Sequence, residues 1–344
     1  MKTLGILFAG SPAIAVPSLL TLSEMELEGR CVALKGILTN PDSRKGRGGQ
    51  EGPTDISAAA SALDTKRREK GFPVLPQLKY PKLDSMAREE TARLAPDLLV
   101  SFAYGRFFGP RFLALFPLGG INIHPSLLPK YRGASPIPAA ILAGEKKTGI
   151  CIQKLAPEMD TGDILAEETL ELSGRETSMS LGETVSRRAA LLLRELLEDF
   201  DNRMAFARPQ AGDAVFCREI HKNKGFIDWN KSAMEIDAQI RAYNPWPLSF
   251  TRLGDKALYI LEAMPCKETP EYAKAGISAL PGTVLGMDNT NGVIIQTGNG
   301  ILSVFRLQWQ GKKAMDFRAF CNGARDFIGA RLGYFFPECS TNSI

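Results

Sequence analysis

Three polar residues near the middle of the chain have types and a spacing suited to acyl transfer. Asn122 and His124 lie two apart in the run Gly120–His124, and Asp160 follows the next apolar run, Gly149–Leu155. Alternate residues of a strand project from the same face, so the amide and the imidazole would point together. A nearby carboxylate would orient the imidazole and favour its protonated form, while the amide cannot lose its proton. The set predicts donors for an oxyanion.

Two of these residues, His124 and Asp160, also have a structural alternative. A single histidine is often a hydrogen-bonded structural residue, and Asp160 could form an Asx turn or cap a helix. The chain has only two histidines, His124 and His221. His124 falls at a predicted sheet edge where open α/β sheets bind ligands, whereas His221 and the tail after Tyr334 suggest no function. The position of His124 beside Asn122 favours a catalytic role.

The first two hundred residues alternate β-type runs with helical patterns, which predicts a parallel sheet covered by helices. In such a sheet, ligands bind beyond the carboxyl ends of the strands. A long amphipathic helix is predicted over Ser178–Phe200 from its apolar spacing. The predicted strands are Leu4–Ala9, Cys31–Thr39, Leu98–Ala103, Gly120–His124 and Gly149–Leu155.

The pattern changes after residue 206, and we predict a first domain over 1–206, a linker over 207–224 and a second domain over 225–344. Ser232 and Glu235 form a predicted capping box at the start of a helix that ends near Tyr243. Short β-type runs separated by Gly, Asn and Pro turns then indicate a small barrel. These runs are Leu258–Ala263, Gly282–Leu285, Val293–Thr297 and Leu302–Gln308.

The composition sets limits on function. With 344 residues and 44% apolar content, the chain is typical of a two-domain globular protein. No apolar stretch approaches the roughly 20 residues that span a bilayer, and the six cysteines lie far apart. We therefore expect no membrane association, no metal site and a location in the cytoplasm, or in an organellar matrix if the protein is eukaryotic.

Two further features bear on the partners. Gly10-Ser11-Pro12 follows the first strand but lacks the full G-x-G-x-x-G pattern, so we expect a tight turn rather than a dinucleotide site. The net charge of +4 favours a polyanionic partner only weakly.

The run INIHPSLLPKYRGASPI at 121–137 and the run MDTGDI at 159–164 resemble the signature of the 10-formyltetrahydrofolate-dependent formyltransferases. FAGSPAIAVPSL, ILTNPDSRKGRGG, AYGRFF, AYNPWP and TGNGILSVFRLQWQGKKAM extend the resemblance over nearly the whole chain, toward members that act on tRNA. The resemblance implies a Rossmann-like parallel-sheet formyltransferase domain followed by a small OB-like β-barrel that binds tRNA.

The resemblance also assigns residues. The family's catalytic Asn, His and Asp fall on Asn122, His124 and Asp160. The residues implied in folate binding are Ser126, Leu127, Leu128 and Pro129, the segment of Gly105, Arg106 and Phe107 against which the pterin would lie, and Met159 before the catalytic aspartate.

The tRNA contacts implied by the resemblance are basic. Arg44 and Arg47 belong to a loop at 40–53, and Lys312 and Lys313 follow a barrel strand. A basic loop taken alone is usually just solvated. This loop also departs from the family pattern, because Asn40 stands where Gln is usual and the segment 49–52 lacks the extra lysines.

The implied activity is transfer of a formyl group from 10-formyltetrahydrofolate, a cosubstrate, to the α-amine of methionine on initiator Met-tRNA in translation initiation, by a monomer. One alternative is a formyltransferase for a small amine, glycinamide ribonucleotide or an amino-sugar nucleotide. Another is a tRNA-binding or folate-binding protein without catalysis. The C-terminal domain argues against the first alternative and the intact Asn122, His124 and Asp160 against the second.

Overall fold

The structure is a computed structural model that describes residues 3–44, 51–266, 279–324 and 326–333. These residues form two compact units. The first unit comprises described residues within 1–137, 146–172 and 180–218, and the second comprises those within 138–145, 173–179 and 219–344. The predicted linker is thus divided, because its part at 207–218 packs with the first unit.

The first unit is built on a seven-stranded sheet in the order β10-β9-β7-β6-β1-β2-β5. Two short ladders, β3-β4 and β8-β11, accompany it. The strands are β1 (Leu4–Gly10), β2 (Val32–Thr39), β3 (Ser43–Arg44), β4 (Glu51–Gly52), β5 (Gln77–Lys79), β6 (Leu98–Phe102), β7 (Gly120–His124), β8 (Arg132–Gly133), β9 (Lys147–Lys154), β10 (Ile164–Glu171) and β11 (Phe216–Cys217).

The helices of the described chain follow the predicted alternation with strands. Helix α6 confirms the predicted long amphipathic helix, with its apolar positions buried. The helices are α1 (Val16–Leu27), α2 (Asp55–Glu69), α3 (Ser85–Arg93), α4 (Pro110–Leu113), α5 (Pro136–Leu142), α6 (Ser178–Glu198), α7 (Phe200–Ala205), α8 (Ala233–Ala242) and α9 (Phe317–Gly323), with 3-10 turns at Ala13–Ala15 and Lys222–Gly225.

Five strands of the first sheet are parallel, but the prediction that Gly149–Leu155 would join them in parallel is wrong. Strand β9 pairs antiparallel with β7, with His124 opposite Cys151, and β10 pairs antiparallel with β9. An antiparallel neighbour begins at the edge where its partner ends. The connection at 125–146 therefore starts and finishes at the carboxyl edge of β7, where ligands are expected.

An aromatic column supports the segment after β6. Tyr104, Phe108, Phe112 and Phe116 are all buried, and their successive ring centroids lie 5.3, 5.8 and 5.6 Å apart. Offset aromatic pairs at such distances add attraction beyond area burial. The column fixes the backbone from which residues 105–107 emerge.

The second unit is an antiparallel sheet in the order β12-β13-β16-β15-β14, with β17 paired to β16. Helix α8 begins with the predicted capping box, in which Ser232 and Glu235 satisfy each other's backbone N–H groups. Segment 329–333 bonds to Gly282 and Val284 on one side and to Arg252 on the other, so it bridges the two edges of the sheet. The strands are β12 (Ser249–Leu253), β13 (Lys256–Pro265), β14 (Val284–Asp288), β15 (Gly292–Gln296), β16 (Ile301–Trp309) and β17 (Met315–Asp316).

A buried ion pair holds helices α1 and α2 of the first unit together. Arg67 is 1% exposed, and its guanidinium pairs with the carboxylate of Glu26. Glu26 also accepts the backbone N–H of Leu34 at 2.9 Å, and Arg67 donates to the Pro73 carbonyl at 3.3 Å. A buried pair with satisfied partners is tolerated, whereas one left without its partner is strongly destabilising.

Replacing Arg67 by methionine should lower the free energy of unfolding by about 3–5 kcal/mol, because Glu26 would stay buried without its partner. Arg30→Met is the matched control. The Arg30 side chain is 49% exposed in its ion pairs with Glu28 and Glu198, so its loss should cost at most about 1 kcal/mol. Urea unfolding measures the free energy of unfolding of both variants. Equal decreases for Arg67→Met and Arg30→Met would contradict this account.

Candidate active site

The structure brings the three predicted catalytic residues together in the first unit. Asn122 and His124 project from β7, and Asp160 lies in the loop between β9 and β10. Asp160 Oδ2 lies 3.6 Å from His124 Nδ1, and Asp160 Oδ1 lies 3.5 Å from Asn122 Nδ2. Their catalytic roles remain a prediction that the geometry allows.

The Asp160 carboxylate is surrounded by donors. Its side chain is 10% exposed. Oδ1 accepts from Gln153 Nε2 at 2.9 Å, and Oδ2 accepts from the Gly133 backbone N–H at 2.9 Å. The backbone of Asp160 is left-handed, with φ of 56°, a conformation that costs energy for a residue with a Cβ atom. The surroundings therefore determine both the side chain and the backbone of this residue.

A tight return of the chain puts Asp160 over the sheet. Gln153 pairs with Asn122 across β9 and β7, and the loop that follows folds back so closely that a Cβ at Gly162 would lie 1.8 Å from the Lys154 carbonyl oxygen. Lys154 in turn donates its N–H to the Asp163 carbonyl at 2.9 Å. Glycine at 162 is needed for this approach, which carries Asp160 back to the residues of β7.

Gln210 completes the support, and sequence reasoning did not find it. Its Nε2 lies 2.8 Å from the Asp160 carbonyl oxygen, 2.9 Å from the Gly162 carbonyl oxygen and 3.2 Å from Gln153 Oε1, and its two hydrogens are shared among these three acceptors. Its Oε1 accepts from Arg132 at 2.6 and 3.1 Å. Gln210 falls in the segment predicted as a linker and has no local signal, whereas Gln153 stands out as a polar residue in an apolar strand.

Burial favours the neutral form of His124. It is 4% exposed, and burial lowers the pKa of the imidazole despite the opposing influence of Asp160 and the Tyr131 carbonyl. Nε2 lies 2.9 Å from the Tyr131 carbonyl oxygen. That oxygen can only accept, so Nε2 carries a proton, and in the neutral ring Nδ1 is the unprotonated nitrogen on the side of Asp160. The carboxylate raises the pKa of His124, as expected, but burial has the larger effect and the net shift is downward.

The predicted folate residues after His124 are mostly buried. Ser126, Leu128 and Pro129 are buried, and Leu127 is partly exposed. Ser126 Oγ donates to the Lys130 carbonyl at 2.6 Å. The Leu128 N–H contacts Cys151 Sγ at 3.4 Å, and burial raises the pKa of that thiol to about 12. These contacts fix the conformation of the loop.

The other predicted folate residues are exposed. Gly105 has φ of 78°, and a Cβ built there would meet nothing within 4 Å. Phe107 is 57% exposed and Met159 is 62% exposed. Arg106 is exposed too, and it donates to Asn40 Oδ1 and to the Pro81 carbonyl. Open backbone and exposed apolar side chains are therefore present where the resemblance places the pterin.

The predicted tRNA contacts fall in both units. Arg44 is exposed on β3, and Arg47 lies outside the described residues. Lys312 and Lys313 are exposed in the second unit, in the turn after β16. Asn40, which replaces the usual Gln, donates to Ser11 Oγ at 2.9 Å and to the Tyr104 carbonyl at 3.0 Å. The start of the loop is thereby joined to residues that follow β1 and β6.

Within the ranges that the structure describes, no three His, Cys, Asp or Glu side chains are grouped as a metal site would require. None of the described helices has the length and apolar character needed to cross a membrane.

Comparison with known families matches both parts of the chain. Residues 5–196 match the formyl transferase family, and residues 219–325 match the formyl transferase C-terminal domain. The methionyl-tRNA formyltransferase of Treponema denticola is 44% identical over 326 residues, which cover 94% of this chain and 98% of that protein. The methionyl-tRNA formyltransferase of Treponema pallidum is 41% identical over 330 residues, which cover 95% of this chain and 99% of that protein.

Solved structures share the fold at low identity. A methionyl-tRNA formyltransferase from Clostridium thermocellum matches with a TM-score of 0.53 at 15% identity, covering 78% of this chain and 96% of that chain. WlaRD, a sugar 3N-formyl transferase, matches with a TM-score of 0.60 at 17% identity, covering 91% of this chain and 100% of that chain. From the two matched family models and the nearly full-length similarity to the two Treponema proteins, the chain belongs to the formyl transferase family, in its methionyl-tRNA formyltransferase branch.

Proposed function

We propose that this protein transfers the formyl group of 10-formyltetrahydrofolate to the α-amine of methionine on initiator Met-tRNA, as a monomer in the cytoplasm. The observation that carries the proposal is the position of Asp160, within 3.6 Å of His124 Nδ1 and 3.5 Å of Asn122 Nδ2. Similarity over nearly the whole length to the Treponema proteins supports the tRNA acceptor.

The reaction needs a donor for a developing negative charge. Attack of the methionine nitrogen on the formyl carbon forms a carbon–nitrogen bond and converts the formyl oxygen into an oxyanion. Asn122 is half-buried and keeps its amide hydrogens at every pH in the active range. The Asn122 amide meets the oxyanion, because a preorganised donor stabilises developing charge without having to reorganise during the reaction.

The attacking amine must also lose a proton. The Nδ1 lone pair of neutral His124 accepts it, and the resulting imidazolium lies beside the Asp160 carboxylate, 3.6 Å away. The proton then passes to N10 of the folate as the bond from N10 to the formyl carbon breaks, which yields tetrahydrofolate and the formylated amine. His124 acts here as general base and then general acid, with Asp160 stabilising its charged form.

The exposed groups fit the two proposed substrates. The open backbone at Gly105, together with the exposed faces of Phe107 and Met159, suits a flat, partly polar ring such as a pterin. Arg44, Lys312 and Lys313 are exposed cations, which suits contact with phosphates of the tRNA. Ser126–Pro129 would support the folate site by fixing the loop.

We expect the purified protein, given 10-formyltetrahydrofolate, to formylate charged initiator Met-tRNA and to leave glycinamide ribonucleotide and an amino-sugar nucleotide unmodified. Formyl transfer to each acceptor is followed with labelled donor. Transfer to a small amine alone would keep the catalytic site but contradict the proposed acceptor. An inactive protein that still bound Met-tRNA would contradict the catalytic proposal itself.

Asp160→Asn should lower kcat about a hundredfold to a thousandfold, the usual range for loss of one preorganised electrostatic group, because the charge on His124 would lose its counterion. Asp163→Asn is the matched control. Asp163 lies in the same loop, but its side chain is 44% exposed and pairs with Lys154 at 3.7 Å. Steady-state kinetics of both variants decide the matter, and near-normal turnover by Asp160→Asn would refute the assigned roles.

A further inference from the structure

One side chain far along the chain from Asp160 controls the conformation of the Asp160 loop. We infer that Gln210 is a positioning residue, which holds Asp160 at the distances from His124 and Asn122 that formyl transfer requires. The inference rests on the proposed function, because it assigns Gln210 a part in the same reaction. Gln210 contacts none of the three residues through their side chains, so it acts through the backbone and through Gln153.

The first argument is the set of oxygens that Gln210 joins. Its Nε2 lies 2.8 Å from the Asp160 carbonyl oxygen and 2.9 Å from the Gly162 carbonyl oxygen. These carbonyls lie on either side of Thr161, so one amide group spans the loop just after the left-handed Asp160. Without that donor, both partly buried carbonyls would lose a partner, and the loop would be free to relax from its disfavoured backbone conformation.

The second argument is the direction of the hydrogen-bond chain. Arg132 can only donate, so its two bonds fix Gln210 Oε1 toward the guanidinium and Nε2 toward the loop. Gln153 Oε1 lies 3.2 Å from Nε2 and shares its two hydrogens with the loop carbonyls, and this contact leaves Gln153 Nε2 toward Asp160 Oδ1 at 2.9 Å. Each amide has only one orientation that satisfies this chain. Gln210 therefore orients both the backbone and the carboxylate of Asp160.

The third argument is that the backbone around Gln210 is itself fixed. Arg208 exchanges backbone hydrogen bonds with Ile164 at 2.8 and 3.0 Å, at the point where β10 begins. A few residues later β11 pairs with β8, with Phe216 opposite Arg132. The segment that carries Gln210 is thus held at one end against the start of β10, which follows the Asp160 loop, and at the other against β8, whose Gly133 donates to Asp160.

The test compares Gln210→Ala and Gln210→Glu with Gln77→Ala. Gln77 is a matched control, since it belongs to the same unit and both ends of its amide are bonded, to Ser57 at 2.7 Å and to Ser61 at 3.0 Å. Gln210→Glu keeps an acceptor for Arg132 but has no donor for the loop. Both Gln210 variants should lower kcat about tenfold to a hundredfold, since displacement of a catalytic group by about 1 Å costs that much.

The KM values for Met-tRNA and for 10-formyltetrahydrofolate should change less than about threefold, because the variants leave intact the contacts that bind substrate and transition state equally.

The pH profile of kcat separates loss of positioning from simple destabilisation of the protein. The kcat of the wild type should rise with pH as His124 loses its proton, and the neighbouring Asp160 raises the pKa of that group. In Gln210→Ala the carboxylate moves away, so the rising limb should shift to lower pH.

A kcat of Gln210→Ala within about threefold of the wild type would overturn the inference, as would a lower kcat with an unshifted limb. The urea midpoints of Gln210→Ala and Gln77→Ala show whether kcat falls in proportion to stability in both variants. If it does, the inference also fails. The proposed function is tested separately, by the acceptor that the wild-type protein formylates. If the wild type formylates a small amine instead of Met-tRNA, the same three variants are compared with that amine.

Discussion

A carboxylate that is almost removed from water has to be surrounded by donors, and the rest of this site depends on that requirement. An unpaired buried charge costs several kcal/mol, and the Asp160 side chain is only 10% exposed. Its donors come from β7, from β9 and from the backbone at Gly133. Three separate parts of the chain must therefore be in place before Asp160 is stable where it lies. The carboxylate that serves the chemistry is also the group around which the loop folds.

The same burial sets the chemistry of the neighbouring imidazole. Burial lowers the pKa of His124 and so favours its neutral ring. Because Nε2 faces the Tyr131 carbonyl, the nitrogen left free to take up a proton is Nδ1, on the side of Asp160. Uptake of a proton by His124 converts this arrangement into an ion pair in a site of low dielectric, where attraction between opposite charges is strong. The site is thus organised for the moment at which the attacking amine gives up its proton.

The sequence predicted much of this arrangement, and the failures have physical causes. Apolar runs located the strands, helical spacing located α6, and the alternate positions of Asn122 and His124 on one strand put them together. An apolar run reads the same in either direction, so the antiparallel course of β9 was not predictable. Gln210 lies 50 positions from Asp160, and only the folded chain shows that they meet. Spacing also carries no measure of burial. The sequence therefore predicted neither the lowered pKa of His124 nor the burial of Ser126 and Leu128.

The most direct test of the central claim is an NMR titration of the histidine rings with tautomer assignment by nitrogen shifts. The chain has two histidines, so His221→Gln leaves His124 as the single signal. We predict that His124 titrates below its ordinary value of 6.5, that its neutral form carries the proton on Nε2, and that Asp160→Asn lowers the midpoint further. A His124 ring that stays protonated at neutral pH, or one with its proton on Nδ1, would contradict the account.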